Sequence, residues 1–433
     1  MVDLKSKFRS ILTLEVVKIF SYTTLSTLVK MLTGLVSVKI VAILIGPAGI
    51  ALLGQLNNFA TIVMTLASGG INNGVTKYVS EYKSSDTETS KILSTGFKIT
   101  GFCSCVIGLL LIVFNNFLSS KVLLSSDYGY VFLIFGLALN FYAFNSFLIS
   151  ILNGFKEFKL FVSVNIVGSI LGLIFTITLV YFGGLKGALV SAISFQSVML
   201  FVTLYMIRKV YWLNKSFFWE KFDKKWLRRY MGFSVMALVT AATSPISQLV
   251  LRVRIINEIS QIEAGWWEAI NRISNMYLLV ITTTLSVYYL PKLSEISSNH
   301  TLKHELIKAY KLITPILLIG FIIIYLLRFT VIKVLFTSEF QGMEKLFFWQ
   351  LLGDFLKISS WLLAFLMVAK AMTKTYVITE VVFTLIFIIL SFYFMQFNGI
   401  VGVTQALSAT YLGYFICMLI LFRKILFTSN KGN

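Results

Sequence analysis

The residues of this chain best suited to bind a ligand are basic side chains inside long apolar stretches. They are Lys30, Lys39, Lys98, Arg252, Arg254, Arg272 and Lys357. A cation at bilayer depth is disfavoured by roughly 2.5 to 3.5 kcal/mol on insertion scales, so it persists mainly where it faces water, protein or an anion. The acids in these stretches are fewer, chiefly Asp354, Glu268 and Glu380. The positive surplus predicts an anionic ligand.

The composition defines the class of protein in which these cations lie. The 433 residues are 57% hydrophobic and 13% charged, with a mean hydropathy of +0.85, which is typical of a polytopic membrane protein. A net charge of +20 would suggest nucleic-acid binding in a soluble protein. Here the basic residues lie in short connections, where membrane topology explains them, so we expect no nucleic-acid partner.

No pattern in the sequence indicates catalytic chemistry. The three cysteines, Cys103, Cys105 and Cys417, lie in apolar segments and support neither a disulfide framework nor a zinc site. Nothing resembles a Ser-His-Asp set, a cluster of metal ligands or a phosphate-binding loop. We therefore predict no catalytic residue, no metal and no cofactor.

Twelve apolar segments are long enough to cross a bilayer, which takes about 20 residues. They are 18–45, 49–79, 93–115, 128–152, 159–182, 187–208, 231–256, 266–290, 310–336, 346–369, 375–396 and 400–422. Basic residues concentrate in alternate connections and near both ends of the chain, so we expect both termini to be cytoplasmic. The predicted fold class is an all-α membrane protein with twelve transmembrane helices.

The longest polar connection, residues 214–230, divides these segments six and six. Phe218, Phe222 and Trp226 recur at every fourth residue among lysines and arginines, which predicts an amphipathic helix in the membrane interface. Its simplest role is anchoring. We predict an N-terminal six-helix lobe over 1–213, a cytoplasmic linker over 214–230 and a C-terminal six-helix lobe over 231–433.

The two halves also echo one another. A Gly-x-x-Gly pattern begins at Gly46, Gly184 and Gly399, and the last two lie 215 residues apart. The same offset carries Lys39 onto Arg254. Together these matches suggest two parallel repeats related by an axis along the membrane normal.

The first segment carries a polar stripe at i, i+3 and i+4 spacing. It consists of Ser26, Thr27, Lys30, Thr33, Gly34 and Ser37. Lys30 lies on the stripe near mid-membrane, so we predict that it binds substrate. Lys39 lies about 180° around the helix, where it can either extend outward to the interface or reach a cavity.

Two adjacent amides in the second segment, Asn72 and Asn73, could bind sugar hydroxyls or line a wet cleft. The alternative is that they only bridge helices. In the seventh segment Thr240, Ser244, Gln248 and Arg252 step by four along one face, which makes Arg252 a further candidate for substrate binding.

Arg254 lies about 200° away from Arg252 around the same helix. Its candidacy for substrate binding rests on the repeat offset.

Two acid–base pairs follow. Glu268 and Arg272 are spaced i, i+4, and Asp354 and Lys357 are spaced i, i+3. Each can be an internally neutralised pair. Alternatively, Arg272 binds substrate, while Glu268, Asp354 and Lys357 couple an ion or proton to transport.

Several segments resemble the Wzx-type flippases of the multidrug, oligosaccharidyl-lipid and polysaccharide exporter superfamily, most of all those for O-antigen and for the lipid III of enterobacterial common antigen. The segments are Ser26–Lys30, Gly46–Gly49, Asn73–Val79, Ser286–Pro291 and Trp349–Lys357. The resemblance covers almost the whole chain.

This resemblance implies a two-lobed fold in the bacterial inner membrane that moves undecaprenyl-diphosphate-linked glycan from the cytoplasmic to the outer leaflet. It implies inward and outward openings, with a cationic cavity between the lobes, and surrounding membrane lipids as partners. A polysaccharide polymerase and a chain-length regulator are further candidate partners. The diphosphate would be the anion that Lys30, Arg252 and Arg272 bind.

Two other functions remain open. An ion-coupled multidrug exporter of the same superfamily would handle mostly cations and should have an acidic interior, which the charge balance here opposes. A membrane polysaccharide polymerase or ligase usually needs a sizeable outer loop with catalytic residues, whereas the outer connections here are short.

Overall fold

The computed structural model describes residues 2–285, 289–296, 298–370 and 372–426, with the backbone alone for residues 2–24 and for Met236, Pro291 and Glu295. Its α-helices are α1 Val2–Ala67, α2 Asn72–Tyr82, α3 Asp86–Val113, α4 Asn115–Val122, α5 Gly129–Gly154, α6 Phe158–Ile207, α7 Lys224–Glu258, α8 Gln261–Thr284, α9 Leu290–Glu295, α10 Asn299–Leu326, α11 Arg328–Leu335, α12 Phe347–Ala369, α13 Thr373–Asn398, α14 Ile400–Leu421 and α15 Arg423–Leu426. Short 3-10 helices cover Ser126–Tyr128, Lys215–Phe217 and Ser338–Leu346. Residues 286–288 of the segment Ser286–Pro291 lie outside the described residues.

Long apolar helices make this a multi-pass membrane protein. Within the described residues, nine helices are long and apolar enough to cross a membrane. Helix α8 is not among them. Two of the nine, α1 and α6, contain a glycine with a non-helical backbone, Gly46 and Gly184 respectively. The predicted all-α membrane class is therefore confirmed.

The Gly-x-x-Gly patterns are sharp turns between helical segments. Gly46, Gly184 and Gly399 have φ of 63°, 53° and 55°, a region that glycine enters at no steric cost. A Cβ on Gly187 would lie 1.7 Å from the carbonyl oxygen of Leu179, and one on Gly402 would lie 2.4 Å from that of Phe394. The two turns that are 215 residues apart therefore use the same conformation and the same close helix contact.

Two of the predicted segments end earlier than expected. Over 49–79, helix α1 ends at Ala67 and α2 begins only at Asn72, because Gly69 and Gly70 both adopt positive φ and stop the helix. Over 310–336, α10 ends at Leu326 and α11 begins after a break at Leu327. The prediction of one continuous helix is wrong in both places.

The prediction of one amphipathic helix over 214–230 is also wrong. A 3-10 turn covers Lys215–Phe217, and α7 begins only at Lys224. Of the three regularly spaced aromatic residues, Trp226 is buried in an apolar core with Trp212 and Tyr230, Phe218 is partly buried against that core and Phe222 is exposed, so they do not form one apolar helix face. Contacts with distant parts of the chain outweigh the local helical pattern.

The described chain forms two compact units. The first comprises Met1–Leu44 and Leu56–Ala242, and the second comprises Ile45–Gln55 and Thr243–Asn433. Lys30 and Lys39 belong to the first unit, and the candidate residues from Arg252 onward belong to the second.

Candidate functional site

A polar cavity of 440 Å³ lies within the first unit. One wall is formed by α1 through Ser26, Lys30, Thr33, Gly34 and Ser37. Apart from Thr27, these are the residues of the stripe predicted from helical spacing. The rest of the wall comes from α5 and α6 and includes Asn145, Asn165, Ser169, Thr176, Ser191 and Gln196. The predicted stripe is thus the wall of a real cavity.

Lys30 is the only charged side chain among the described residues that line this cavity. The amides and hydroxyls opposite are largely bonded to one another or to the backbone. Asn145 accepts a hydrogen bond from Thr203 at 2.7 Å and donates to Gln196 at 3.4 Å, while Asn165 donates to the carbonyl of Phe161 at 2.7 Å. Lys30 itself is exposed to the cavity rather than buried. The cavity therefore carries one positive charge with no acidic lining residue.

The second unit holds a different arrangement, in which two arginines share one carboxylate. The Nη2 atom of Arg252 lies 2.5 Å from Glu268 Oε2, and the Nε atom of Arg272 lies 2.9 Å from Glu268 Oε1. The Arg252 side chain is fully buried. It also donates to Gln55 Oε1 at 3.2 Å and lies 5.4 Å from the Trp267 ring. The predicted pair of Glu268 and Arg272 is present, but Arg252 joins it.

This arrangement places Arg252 in a packed interior, not on a cavity wall. Its α7 neighbour Gln248 lies one turn earlier and accepts from it at 3.5 Å, as the spacing predicted. Glu268 and Arg272 are 12% and 17% exposed, so Arg272 is the more accessible of the two arginines. Substrate binding by Arg272 stays a prediction, and so does substrate binding by Arg252.

Asp354 and Lys357 do not form an ion pair within the described part of the chain. Asp354 is buried, and its Oδ2 accepts hydrogen bonds from Ser274 at 2.5 Å, from Gln350 at 3.2 Å and from the hydroxyl of Tyr277. These donors are neutral. Because Ser274 and Tyr277 belong to α8, the carboxylate of Asp354 is directed at that helix.

Lys357 faces another cavity in the second unit, of 200 Å³. Its Nζ lies 5.2 Å from the Trp361 ring and 5.4 Å from that of Tyr411 on α14. The same cavity is lined by Gln248 and Glu380. Asp354 and Lys357, three residues apart on α12, therefore have different partners on other helices, on α8 for the carboxylate and on α14 for the ammonium.

The remaining basic candidates lie away from both cavities. Arg254 forms an ion pair with Glu258 one turn later on α7, with both side chains about two-fifths exposed, and lies 5.3 Å from the Phe392 ring. Lys39 lies on α1 but lines neither cavity. Lys98 donates to the carbonyl of Glu220 at 2.5 Å.

The two adjacent amides lie at the start of α2, not inside a long span. Asn72 donates a hydrogen bond to Ser146 Oγ on α5 at 2.8 Å. It therefore bridges two helices, which was the alternative to sugar binding considered for these amides. Asn73 is exposed.

The sequence analysis missed the cavity wall contributed by α6. Its residues repeat the signature of the first segment, with small and polar side chains at i, i+3 and i+4 spacing. They are Asn165, Gly168, Ser169, Gly172 and Thr176. The same reading of helical periodicity would have found them. The contact between Gln55 and Arg252 was not predicted, because no local signal joins two residues that are 197 positions apart.

Comparison with solved structures shows the class of protein that this fold defines. The lipid II flippase MurJ in an inward closed conformation aligns with a TM-score of 0.71 at 17% identity, over 95% of this chain and 90% of that one. A multidrug resistance MATE family transporter of the MOP superfamily, inward-facing, aligns with a TM-score of 0.72 at 13% identity, over 93% of this chain and 96% of that one. The chain has the fold of these transporters.

Sequence comparison then gives the family. Residues 16–297 match the model of the polysaccharide biosynthesis protein family, and the chain belongs to that family. The lipid III flippase of Escherichia coli (strain K12) is 29% identical over 394 residues, which cover 91% of this chain and 95% of the relative. The resemblance inferred from short segments is confirmed.

Proposed function

We propose that the protein is a flippase that moves undecaprenyl-diphosphate-linked oligosaccharides across the bacterial inner membrane by alternating access. Its glycan is of the O-antigen or enterobacterial common antigen type. The full-length similarity to a lipid III flippase supports this function, and so does membership of the polysaccharide biosynthesis protein family.

The observation that carries the proposal is the position of Lys30 in the 440 Å³ cavity. A cavity of that volume is within the usual range for ligand sites, about 300 to 1,000 Å³. The Lys30 ammonium can bind a diphosphate through charge-assisted hydrogen bonds, which are stronger than neutral ones. The hydroxyls and amides around it suit a polyhydroxylated glycan. A cavity whose described lining has one cation and no acid disfavours cationic drugs as cargo.

The arginines of the second unit have a supporting role in this proposal. Arg272 is partly exposed, which favours it over the fully buried Arg252 as a candidate for substrate binding. The described contacts add no support for substrate binding by Lys39, Arg254, Asn72 or Asn73.

We further propose twelve transmembrane helices in two six-helix lobes, 1–213 and 231–433, joined by residues 214–230. The turns at Gly46 and Gly184 each divide one of the longest helices into two segments of membrane-crossing length, which makes eleven segments from the nine apolar helices described. Helix α8, which is 24 residues long, is the proposed twelfth. The distribution of lysine and arginine supports cytoplasmic termini.

Asp354 is our proposed carrier of the coupling ion or proton. Its carboxylate is buried and bonded only to neutral donors, whereas Glu268 is already neutralised by two arginines. Lys357 is the proposed charged neighbour that responds to it. We expect Asp354→Asn to remove the dependence of transport on a proton or sodium gradient in proteoliposomes, while the variant still binds glycolipid. Unchanged gradient dependence in Asp354→Asn would assign the coupling elsewhere.

Complementation of a deletion strain tests the function itself. Wild-type protein should restore surface glycan, Lys30→Ala should not, and Lys186→Ala serves as the matched control because Lys186 lies at the turn after Gly184, outside the cavity. Immunoblots should show equal amounts of all three proteins. Normal glycan with altered drug susceptibility in the deletion strain would instead support a drug exporter.

A polysaccharide polymerase and a chain-length regulator are the partners that we propose, because they act on the flipped glycan.

A further inference from the structure

An apolar groove of 320 Å³ lies in the first unit, beside the connection between α6 and α7. Its walls include Phe97, Phe144, Leu204, Phe218 and Trp219. The Phe97 ring lies 4.8 Å from that of Phe144 and 5.7 Å from that of Phe218, centroid to centroid. The polar residues that line the groove are Asn214 and Lys215. Apart from these two residues, the groove is a hydrophobic slot.

The groove continues a surface suited to lipid chains. Phe141, Phe201 and Tyr205 are exposed on α5 and α6, and the groove residues Phe144 and Leu204 lie on the same two helices one turn away or less. An apolar chain in the bilayer can therefore enter the groove without crossing a polar barrier. A volume of 320 Å³ is near the lower end for ligand sites, so it suits part of one chain and not a whole lipid.

The connection that contributes Lys215 to the groove is strongly basic. Between Arg208 and Arg229 the chain has eight lysines and arginines and two acids. Lys215 lies at the groove itself and is exposed, and the Trp219 side chain is 76% exposed. Basic residues beside exposed aromatic side chains are typical of protein surfaces at the membrane–water interface.

Contacts within the first unit hold this connection in place. The carbonyl of Glu220 accepts hydrogen bonds from Ser94 at 2.6 Å and Lys98 at 2.5 Å. The amide of Asp223 donates to Thr95 at 3.3 Å, and the Asp223 carboxylate accepts from the amide of Lys225 at 2.7 Å. The groove is therefore preformed by α3, α5, α6 and the connection.

We propose that this groove binds an anionic phospholipid of the bilayer, with one acyl chain against Phe97 and Phe144 and the phosphate beside Lys215. Two features favour this occupant: Lys215 is complementary in charge to a phosphate, and the groove is continuous with the exposed apolar surface of α5 and α6. A headgroup with net negative charge is attracted to the basic connection, which a zwitterionic headgroup is not. The site is separate from the cavity around Lys30, and the proposal does not depend on the cargo.

Native mass spectrometry of the full-length protein in detergent tests this proposal. Phosphatidylglycerol and phosphatidylcholine of identical acyl chains are added at equal concentration, and the retained lipid is counted. We expect phosphatidylglycerol to be retained at least fivefold better. Lys215→Gln should weaken its binding about fivefold, the effect of removing one basic residue near an anionic headgroup. Lys215→Gln combined with Trp219→Ala should weaken it further.

The matched control combines Lys186→Gln with Phe182→Ala, which removes an exposed lysine and an exposed aromatic ring elsewhere in the first unit. It should bind phosphatidylglycerol like the wild type, and size-exclusion profiles should match for all variants. Equal retention of phosphatidylglycerol by the wild type and the Lys215 and Trp219 double variant would overturn the proposal. So would displacement of phosphatidylglycerol from the wild type by equimolar undecaprenyl phosphate, because the groove would then belong to the carrier lipid.

Discussion

Lys30 of the first unit and Arg252 of the second lie in opposite surroundings, although both belong to apolar helices. Lys30 is exposed in a polar cavity whose described lining contains no acid. Arg252 is fully buried and shares Glu268 with Arg272, with Gln55 as a further acceptor. One charge is left for a ligand, and the other is neutralised within the protein.

This difference distinguishes intramembrane cations that are available to bind a ligand from those that stabilise the protein structure. A buried charge without a partner costs several kcal/mol, so a buried arginine must be compensated locally. An ammonium that faces a wet cavity keeps part of its hydration and needs no fixed counterion. Position along the chain alone does not distinguish these cases.

The largest expected effect is on stability, from Arg252→Ala. Glu268 keeps Arg272 as its partner, but the cavity left by the fully buried side chain and the loss of its hydrogen bond to Gln55 should destabilise the protein by about 2 to 5 kcal/mol. Thermal unfolding in detergent should show a clearly lower melting temperature and a reduced protein yield. A wild-type melting temperature for Arg252→Ala would remove the contrast between the two units.

The next effect is on transport, from Lys30→Met. Loss of hydrogen bonds to a charged group costs about 1.5 to 3 kcal/mol, which corresponds to roughly a 10- to 100-fold lower rate of glycolipid flipping in proteoliposomes. Melting temperature should not change. Lys30→Arg keeps the charge and should keep most of the rate, so equal losses in both variants would mean that shape matters more than charge.

A smaller effect is expected from Arg272→Ala. Glu268 then keeps Arg252 as its partner, so the variant loses one hydrogen-bonded contact without leaving the carboxylate uncompensated. We expect about 1 kcal/mol of destabilisation in chemical denaturation, with a moderate fall in flipping rate. A fall as large as that of Lys30→Met would place Arg272 at the substrate as directly as Lys30.

The smallest effect is expected from Arg254→Ala. Its pair with Glu258 is about two-fifths exposed on both sides, and exposed pairs contribute about 0 to 1 kcal/mol. Both melting temperature and flipping rate should stay close to wild type. Loss of flipping would instead support substrate binding by Arg254, as predicted from the 215-residue offset that pairs it with Lys39.

Local patterns predicted the parts of the fold that depend on local physics. The turns at Gly46, Gly184 and Gly399 follow from glycine, and the polar stripe with Lys30 follows from helical periodicity. The early end of the second segment could also have been predicted, because the adjacent glycines Gly69 and Gly70 are typical of a helix end. Their left-handed conformation explains why Asn72 begins a new helix.

Distant contacts account for what the sequence did not predict. The aromatic spacing at 218–226 resembled an amphipathic helix, but Trp226 is buried by residues from other helices. Glu268 was paired with its helical neighbour Arg272, because nothing local indicates that Arg252 approaches it from α7. Asp354 and Lys357 were paired for the same reason, whereas their partners on other helices lie on α8 and α14 respectively.

The affinity of the purified protein for a short-chain prenyl-diphosphate-linked disaccharide tests the central claim most directly. Isothermal titration should show at least tenfold weaker binding to Lys30→Met than to the wild type, with Lys30→Arg and Arg254→Ala close to the wild type. The same disaccharide on an uncharged prenyl alcohol should bind weakly to all four proteins. Equal affinity of the wild type and Lys30→Met for the diphosphate would contradict the assignment of Lys30 as the anion-binding residue.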